Sequence, residues 1–123
     1  MAEGSPLLVH TRNLAQKVQE RLGGNFKVAV GMRYGRPSIA AAAEDLIRAG
    51  VSEIRMLPLF PQYAASSTGS AVAEFERVMK SRKDALPFRV LPPFYKDAGF
   101  IEAFAKVAEP VLEKIRPDHV LFS

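Results

Sequence analysis

The first segment that could carry chemistry runs from Met32 to Ser38 and contains Arg33 and Tyr34. Arg33 has a planar, always-charged guanidinium that suits a carboxylate. Tyr34 has a flat ring and a hydroxyl that can stack on, or hydrogen-bond to, a planar ligand. Ordinary strand–helix connections also contain such residues, with the arginine extended to solvent and the tyrosine packed. Residue types alone favour that plainer interpretation and leave the ligand-binding one open.

The second segment runs from Pro58 to Ser70 and includes Gln62 and Tyr63. Its last five positions contain four hydroxyls and a glycine: Ser66, Ser67, Thr68, Gly69 and Ser70. Hydroxyls and backbone N–H groups at a helix start can bind an anion such as a phosphate or a propionate. Helix capping by one of these residues is the alternative. The segment is not a P-loop, because the Gly-Lys-Ser/Thr ending is absent.

The remaining polar residues predict no catalytic residue and no metal site. The segment 92–97 is interpreted as a rigid connector in which Asp97 caps a helix. His10 and His119 are far apart and have no metal-ligand spacing, and no Ser–His–Asp arrangement can be built. Glu74 and Glu76 are interpreted as solvated. The absence of cysteine excludes disulfides and thiolate metal sites in this chain.

Composition and charge are typical of a soluble globular protein. The 123 residues carry a net charge of +4, and the 17 basic residues are scattered except for Lys80, Arg82 and Lys83. This cluster lies at an expected helix end, where positive charge complements the helix dipole, so no nucleic-acid partner is expected. There is no apolar run near 20 residues and no secretory signal pattern from Met1 onward. We therefore expect no membrane span and a cytoplasmic location.

Hydrophobic periodicity predicts four helices that alternate with four strands. The expected helices are 5–22, 38–49, 71–82 and 98–115, with a kink or break at Pro110. The expected strands are 26–32, 53–60, 88–91 and 119–123. This order is typical of an α/β fold, a doubly wound parallel sheet with helices on both faces. Ligands in such sheets bind beyond the carboxyl ends of the strands, which is where both segments described above lie.

Both ends of the chain indicate a truncated domain. The first element is a helix that needs a sheet already present, and the last is an apolar strand that stops at Ser123. We therefore expect residues 1–123 to form a single, incomplete α/β domain. Cut sheet edges in such a domain would invite self-association.

The chain resembles the ferrochelatases over essentially its whole length, and three stretches carry the resemblance. They are Gly4–Leu7 with Thr11-Arg12, Gly31–Gly35 with Pro37-Ser38, and Leu57–Tyr63 followed by Ser66–Ser70. The third is the most specific: Pro-Leu-Phe-Pro-Gln-Tyr runs into Ser-Ser-Thr-Gly-Ser. Departures are mild, with Ala64 where the family often has Ser and Ser67 where it often has Thr.

The resemblance implies a bacterial-type ferrochelatase, which inserts ferrous iron into a porphyrin in heme biosynthesis. It implies a place in the first of two similar domains, lacking the first strand and everything from the catalytic histidine onward. The implied porphyrin-binding residues are Arg33, Tyr34, Gln62, Tyr63, Ser67, Thr68 and Ser70. No cofactor is implied, because Fe²⁺ is a substrate. Protoporphyrin and coproporphyrin both stay open, and the piece alone is expected to be inactive.

Two other functions remain as alternatives. One is a standalone flavodoxin-like module that binds a phosphate-bearing ligand at Ser66–Ser70. The other is a chelatase for a different tetrapyrrole. Chelatases of that kind usually carry paired metal-binding histidines, which this sequence lacks.

Overall fold

Four helices and one small parallel sheet make up residues 5–122, the part of the chain that the computed structural model describes. The helices are α1 (Pro6–Leu22), α2 (Ile39–Arg48), α3 (Ser70–Ser81) and α4 (Ala98–Ile115). The strands are β1 (Ile54–Met56) and β2 (Phe88–Val90), and a π-helical turn (Ala65–Gly69) leads directly into α3. The predicted α/β class and all four helices are therefore confirmed.

The helix ends follow from local chemistry. Pro6 begins α1, and Gly23 ends it with a φ of 76°, a conformation that glycine adopts without a steric penalty. The Ser38 hydroxyl accepts from the N–H of Ala41 at the start of α2. The Asp97 carboxylate accepts from the N–H of Phe100 at the start of α4, as the sequence predicts.

The hydrophobic core lies where α2 and α3 pack on the sheet. β1 and β2 pair in parallel, with Ile54 opposite Phe88 and Met56 opposite Val90. The buried cluster combines one strand residue with the inward faces of the two helices: Ile39, Ala43, Ile54, Phe75, Val78 and Met79. The rings of Phe75 and Phe88 meet edge to face with centroids 5.2 Å apart. This core holds the start of α3 in place.

Two of the four expected strands are absent from the described residues, and the other two are shorter than expected. Residues 26–31 form no ladder, and the segment makes only an isolated bridge between Met32 and Ser38. Residues 119–122 also form no strand, and the residue at which that prediction ends, Ser123, lies outside the described residues. The expected strand 53–60 contracts to β1. Apolar sequence favours an extended chain, but a strand also needs a hydrogen-bonded neighbour.

One further expectation needs correction. α4 continues through Pro110, so the break expected there is absent. Proline removes one backbone donor, yet the hydrogen bonds on either side of it suffice to keep the helix continuous. The expectations about Met1–Gly4, including the family-like Gly4, lie outside the described residues.

Candidate functional site

The two sequence-predicted segments meet at Arg33 and Ser70. Nε of Arg33 donates to the Ser70 hydroxyl oxygen at 2.9 Å, although the two residues are 37 positions apart. Arg33 directly follows the extended segment that runs beside α2, and Ser70 is the first residue of α3. The packing of α2 against α3 therefore brings the two loops together.

The Tyr34 ring lies beside the arginine, and both Tyr34 and Tyr63 are open to solvent. Cζ of Arg33 lies 4.6 Å from the centroid of the Tyr34 ring, within the range of a cation–π interaction. The Tyr34 side chain is 74% exposed and that of Tyr63 is 65% exposed. Exposed aromatic rings beside a fixed cation are suited to a flat ligand that carries carboxylates.

The π-helical turn shapes the second segment. Thr68 is buried, and its hydroxyl donates to the Gln62 carbonyl at 3.3 Å. A Cβ placed on Gly69 would lie 2.9 Å from the Tyr63 hydroxyl, so the glycine leaves room for that ring. Gln62 is exposed and Ser67 is partly buried. The turn thus presents Gln62 and Tyr63 outward and anchors itself through Thr68.

The backbone donors of the turn are largely used within it. The N–H groups of Ser67 and Gly69 both donate to the Ala64 carbonyl, at 3.2 and 3.0 Å. The N–H of Ser70 donates to the carbonyls of Ala65 and Ser67. A phosphate site at a helix start needs such donors free. The geometry therefore gives no support to the phosphate-binding alternative at Ser66–Ser70.

A carboxylate lies one helical turn beyond Ser70. The Glu74 oxygens accept from Arg77 Nε at 2.9 Å and from Nη2 at 2.8 Å. This hydrogen bonding lowers the pKa of Glu74, and desolvation opposes it. The positive charges of Arg77 and Arg33 lower the pKa of Glu74 further. Glu74 is therefore an ionised carboxylate within electrostatic range of Arg33.

Sequence reasoning missed two features of the site. Glu74 was assigned to a solvated helix surface, yet its side chain is only 24% exposed and is held by Arg77. Gly31 was given no structural role, but a Cβ there would lie 3.1 Å from the Ile39 Cα. A glycine inside an apolar extended segment is a known signal of close backbone approach, and it could have identified this contact.

Other candidate residues lie apart from this site. Asp97 is engaged as a helix cap, and Glu76 pairs with Lys80. Within residues 5–122, no group of three or more His, Cys, Asp or Glu side chains could hold a metal ion. No helix in the same part of the chain is long and apolar enough to cross a membrane.

Comparison with known proteins gives a consistent result. The family model described as Ferrochelatase matches residues 1–123. The curated protein named Ferrochelatase from Bdellovibrio bacteriovorus is 44% identical over 123 residues, which are 100% of this chain and 37% of that protein. The one from Aquifex aeolicus is 41% identical over 124 residues, 100% of this chain and 40% of that protein.

A third relative, the Ferrochelatase of Coxiella burnetii, is 39% identical over 123 residues, 100% of this chain and 34% of that protein. The chain therefore spans between about a third and two-fifths of the length of the curated relatives it matches. No solved structure matches the chain.

Proposed function

Because this chain belongs to the ferrochelatase family, we propose that it forms one wall of a porphyrin cleft in an enzyme that inserts Fe²⁺ into a porphyrin. The reaction class is that of a lyase in heme biosynthesis, and the porphyrin and ferrous iron are its substrates. Residues 1–123 would then be most of the first domain of that enzyme. The contact between Arg33 and Ser70, which joins the two sequence-predicted segments, supports this assignment most directly.

The wall consists of the residues that the sequence singles out: Arg33, Tyr34, Gln62, Tyr63, Ser67, Thr68 and Ser70. Arg33 attracts a porphyrin propionate through its outer guanidinium nitrogens, while Nε stays bonded to Ser70. Tyr34 and Tyr63 pack against the macrocycle with their exposed rings. Ser67 and Thr68 shape the turn that holds Gln62 and Tyr63 at the surface.

Metal insertion needs more than a binding wall. Two pyrrole N–H protons must leave as the metal enters, and the flat ring must be distorted so that its nitrogens become accessible. Binding energy from the remainder of the ring can supply that strain. A histidine or carboxylate must accept the protons, and we assign that group to no residue of this chain. We therefore propose that these 123 residues are inactive by themselves. We propose that they form part of a larger enzyme that acts in the cytoplasm.

The test is metal insertion by the intact enzyme of which we propose this chain is a part. Porphyrin absorbance follows the uptake of ferrous iron, and Arg33→Met should raise KM for a porphyrin that carries propionates. Arg55→Met is the matched control, because Arg55 is an exposed arginine of β1 that pairs with Glu53 away from this site. Unchanged kinetics in Arg33→Met would contradict the proposed wall, and absence of metal insertion by the unmodified enzyme would refute the function.

A further inference from the structure

Arg77 holds the carboxylate of Glu74 through two of its guanidinium nitrogens. The guanidinium donates to one carboxylate oxygen from Nε and to the other from Nη2, which is a bidentate pair. Arg77 itself is 65% exposed, and Glu74 is 24% exposed. The pair therefore lies at the surface of α3, with Glu74 less exposed than Arg77.

The pair lies on the same face of α3 as the partner of Arg33. Ser70 and Glu74 are four residues apart, so their side chains project on one helix face. Arg33 donates a hydrogen bond to Ser70, and its positive charge is the smallest of the causes that lower the pKa of Glu74. Within residues 5–122, Arg33 forms no ion pair, and its outer nitrogens donate no hydrogen bond.

An anionic ligand and Glu74 would compete for the same guanidinium. A carboxylate has two acceptor oxygens, and a free one beside an arginine would form an ion pair with it. Arg77 occupies both oxygens of Glu74 and compensates its charge. The outer nitrogens of Arg33 are thereby left for a carboxylate that arrives from outside.

We propose that Arg77 is a positioning residue that, by sequestering Glu74, keeps Arg33 available for a propionate of the tetrapyrrole. The inference rests on the proposed function, because it presumes that Arg33 binds a porphyrin carboxylate. It adds a determinant of specificity for carboxylate-bearing porphyrins. Arg77 does not touch the substrate and acts only through Glu74 and Arg33.

The experiment uses steady-state metal insertion by the intact enzyme with a porphyrin that carries two propionates. Arg77→Met should release Glu74 to pair with Arg33 and raise KM by roughly three- to fivefold, the effect of one exposed ion pair, with kcat unchanged. The double variant Glu74→Gln/Arg77→Met removes the competing carboxylate and should restore KM. With a porphyrin whose propionates are esterified, Arg77→Met should have no effect on KM.

Lys80→Met is the matched control. It removes one positive charge and one ion pair, with Glu76, from the same helix α3. KM in Lys80→Met should remain that of the unmodified enzyme. A rise in KM that persists in the double variant, or that occurs equally in Lys80→Met, would overturn the proposal.

Arg33→Met separates this proposal from the proposed function. If Arg33→Met raises KM and Arg77→Met does not, only the role of Arg77 is refuted. If Arg33→Met leaves KM unchanged, the porphyrin-binding role of Arg33 fails, and the role of Arg77 fails with it.

Discussion

At the residue scale, the site depends on the different surroundings of two arginines. Arg33 donates one hydrogen bond, to the uncharged hydroxyl of Ser70, and lies near the Tyr34 ring, so its charge is not compensated by a carboxylate among residues 5–122. Arg77 donates from two of its nitrogens, Nε and Nη2, to Glu74. The same side-chain type is therefore the partner of a carboxylate in one place, and in the other it is the group that we propose binds an anion.

The Glu74–Arg77 pair makes stability depend on pH at the acid end. Hydrogen bonding to Arg77 lowers the pKa of Glu74 below its ordinary 4.5 in the folded chain. The unfolded chain then binds the proton more readily, so the pair stabilises the fold above that ordinary value. This contribution is lost as the pH falls through the lowered pKa of the folded state. Glu74→Gln should therefore flatten the acid limb of a plot of thermal midpoint against pH.

The matched control for this titration is Glu102→Gln, which removes a carboxylate from the exposed ion pair with Lys106 on α4. The two variants are compared by thermal unfolding from neutral pH down to about pH 3. An acid limb that is equally steep in Glu74→Gln and in the unmodified chain would contradict the expected role of the pair.

At the element scale, the position of Arg33 depends on how closely the extended segment 26–32 approaches α2. A Cβ on Gly31 would lie 3.1 Å from the Ile39 Cα and 3.4 Å from the Ala42 Cβ. Gly31→Ala should force the segment away from the helix and reduce the free energy of unfolding by about 1–3 kcal/mol, as overpacking does. Urea denaturation measures the loss.

Gly24→Ala is the control for this substitution, because a Cβ there meets no atom within 4 Å. Its free energy of unfolding should differ little from that of the unmodified chain. Equal effects of Gly24→Ala and Gly31→Ala would show that backbone entropy, rather than the contact with α2, determines the cost.

At the scale of the whole molecule, the 123-residue chain exposes much apolar surface. Within residues 5–122 the sheet has two strands, and Ile101, Phe104 and Val107 on α4 are all more than half exposed. Unpaired strand edges are templates for pairing with another chain. We therefore expect this chain, by itself, to self-associate through its sheet edges.

Sedimentation velocity over a wide range of protein concentration tests this expectation. The sedimentation coefficient should rise with concentration, and Val107→Lys, at a position that is 77% exposed on α4, should leave that rise unchanged. A single monomer boundary at every concentration would contradict self-association. Loss of association in Val107→Lys would assign it to the apolar face of α4 instead of the sheet edges.

Local chemistry determined the elements that need no distant partner. The helices follow from apolar periodicity and from residues that start and stop them, such as Pro6, Gly23 and Asp97. The residues facing the core on α2 and α3 recur at the same helical spacing, and Phe75, Val78 and Met79 are buried. The candidate binding segments also follow from sequence, because their residue types and their positions after apolar segments are local properties.

Only the tertiary structure decided what depends on a distant neighbour. The apolar segment 26–32 becomes a strand only if a second strand pairs with it, and within residues 5–122 none does. The contact of Arg33 with Ser70, and the charge of Arg33 near Glu74, require α2 and α3 to pack side by side. Sequence specifies which groups are present, whereas the packing of helices on the sheet specifies which of them meet, because contacts between residues far apart in the chain leave no local periodicity to detect.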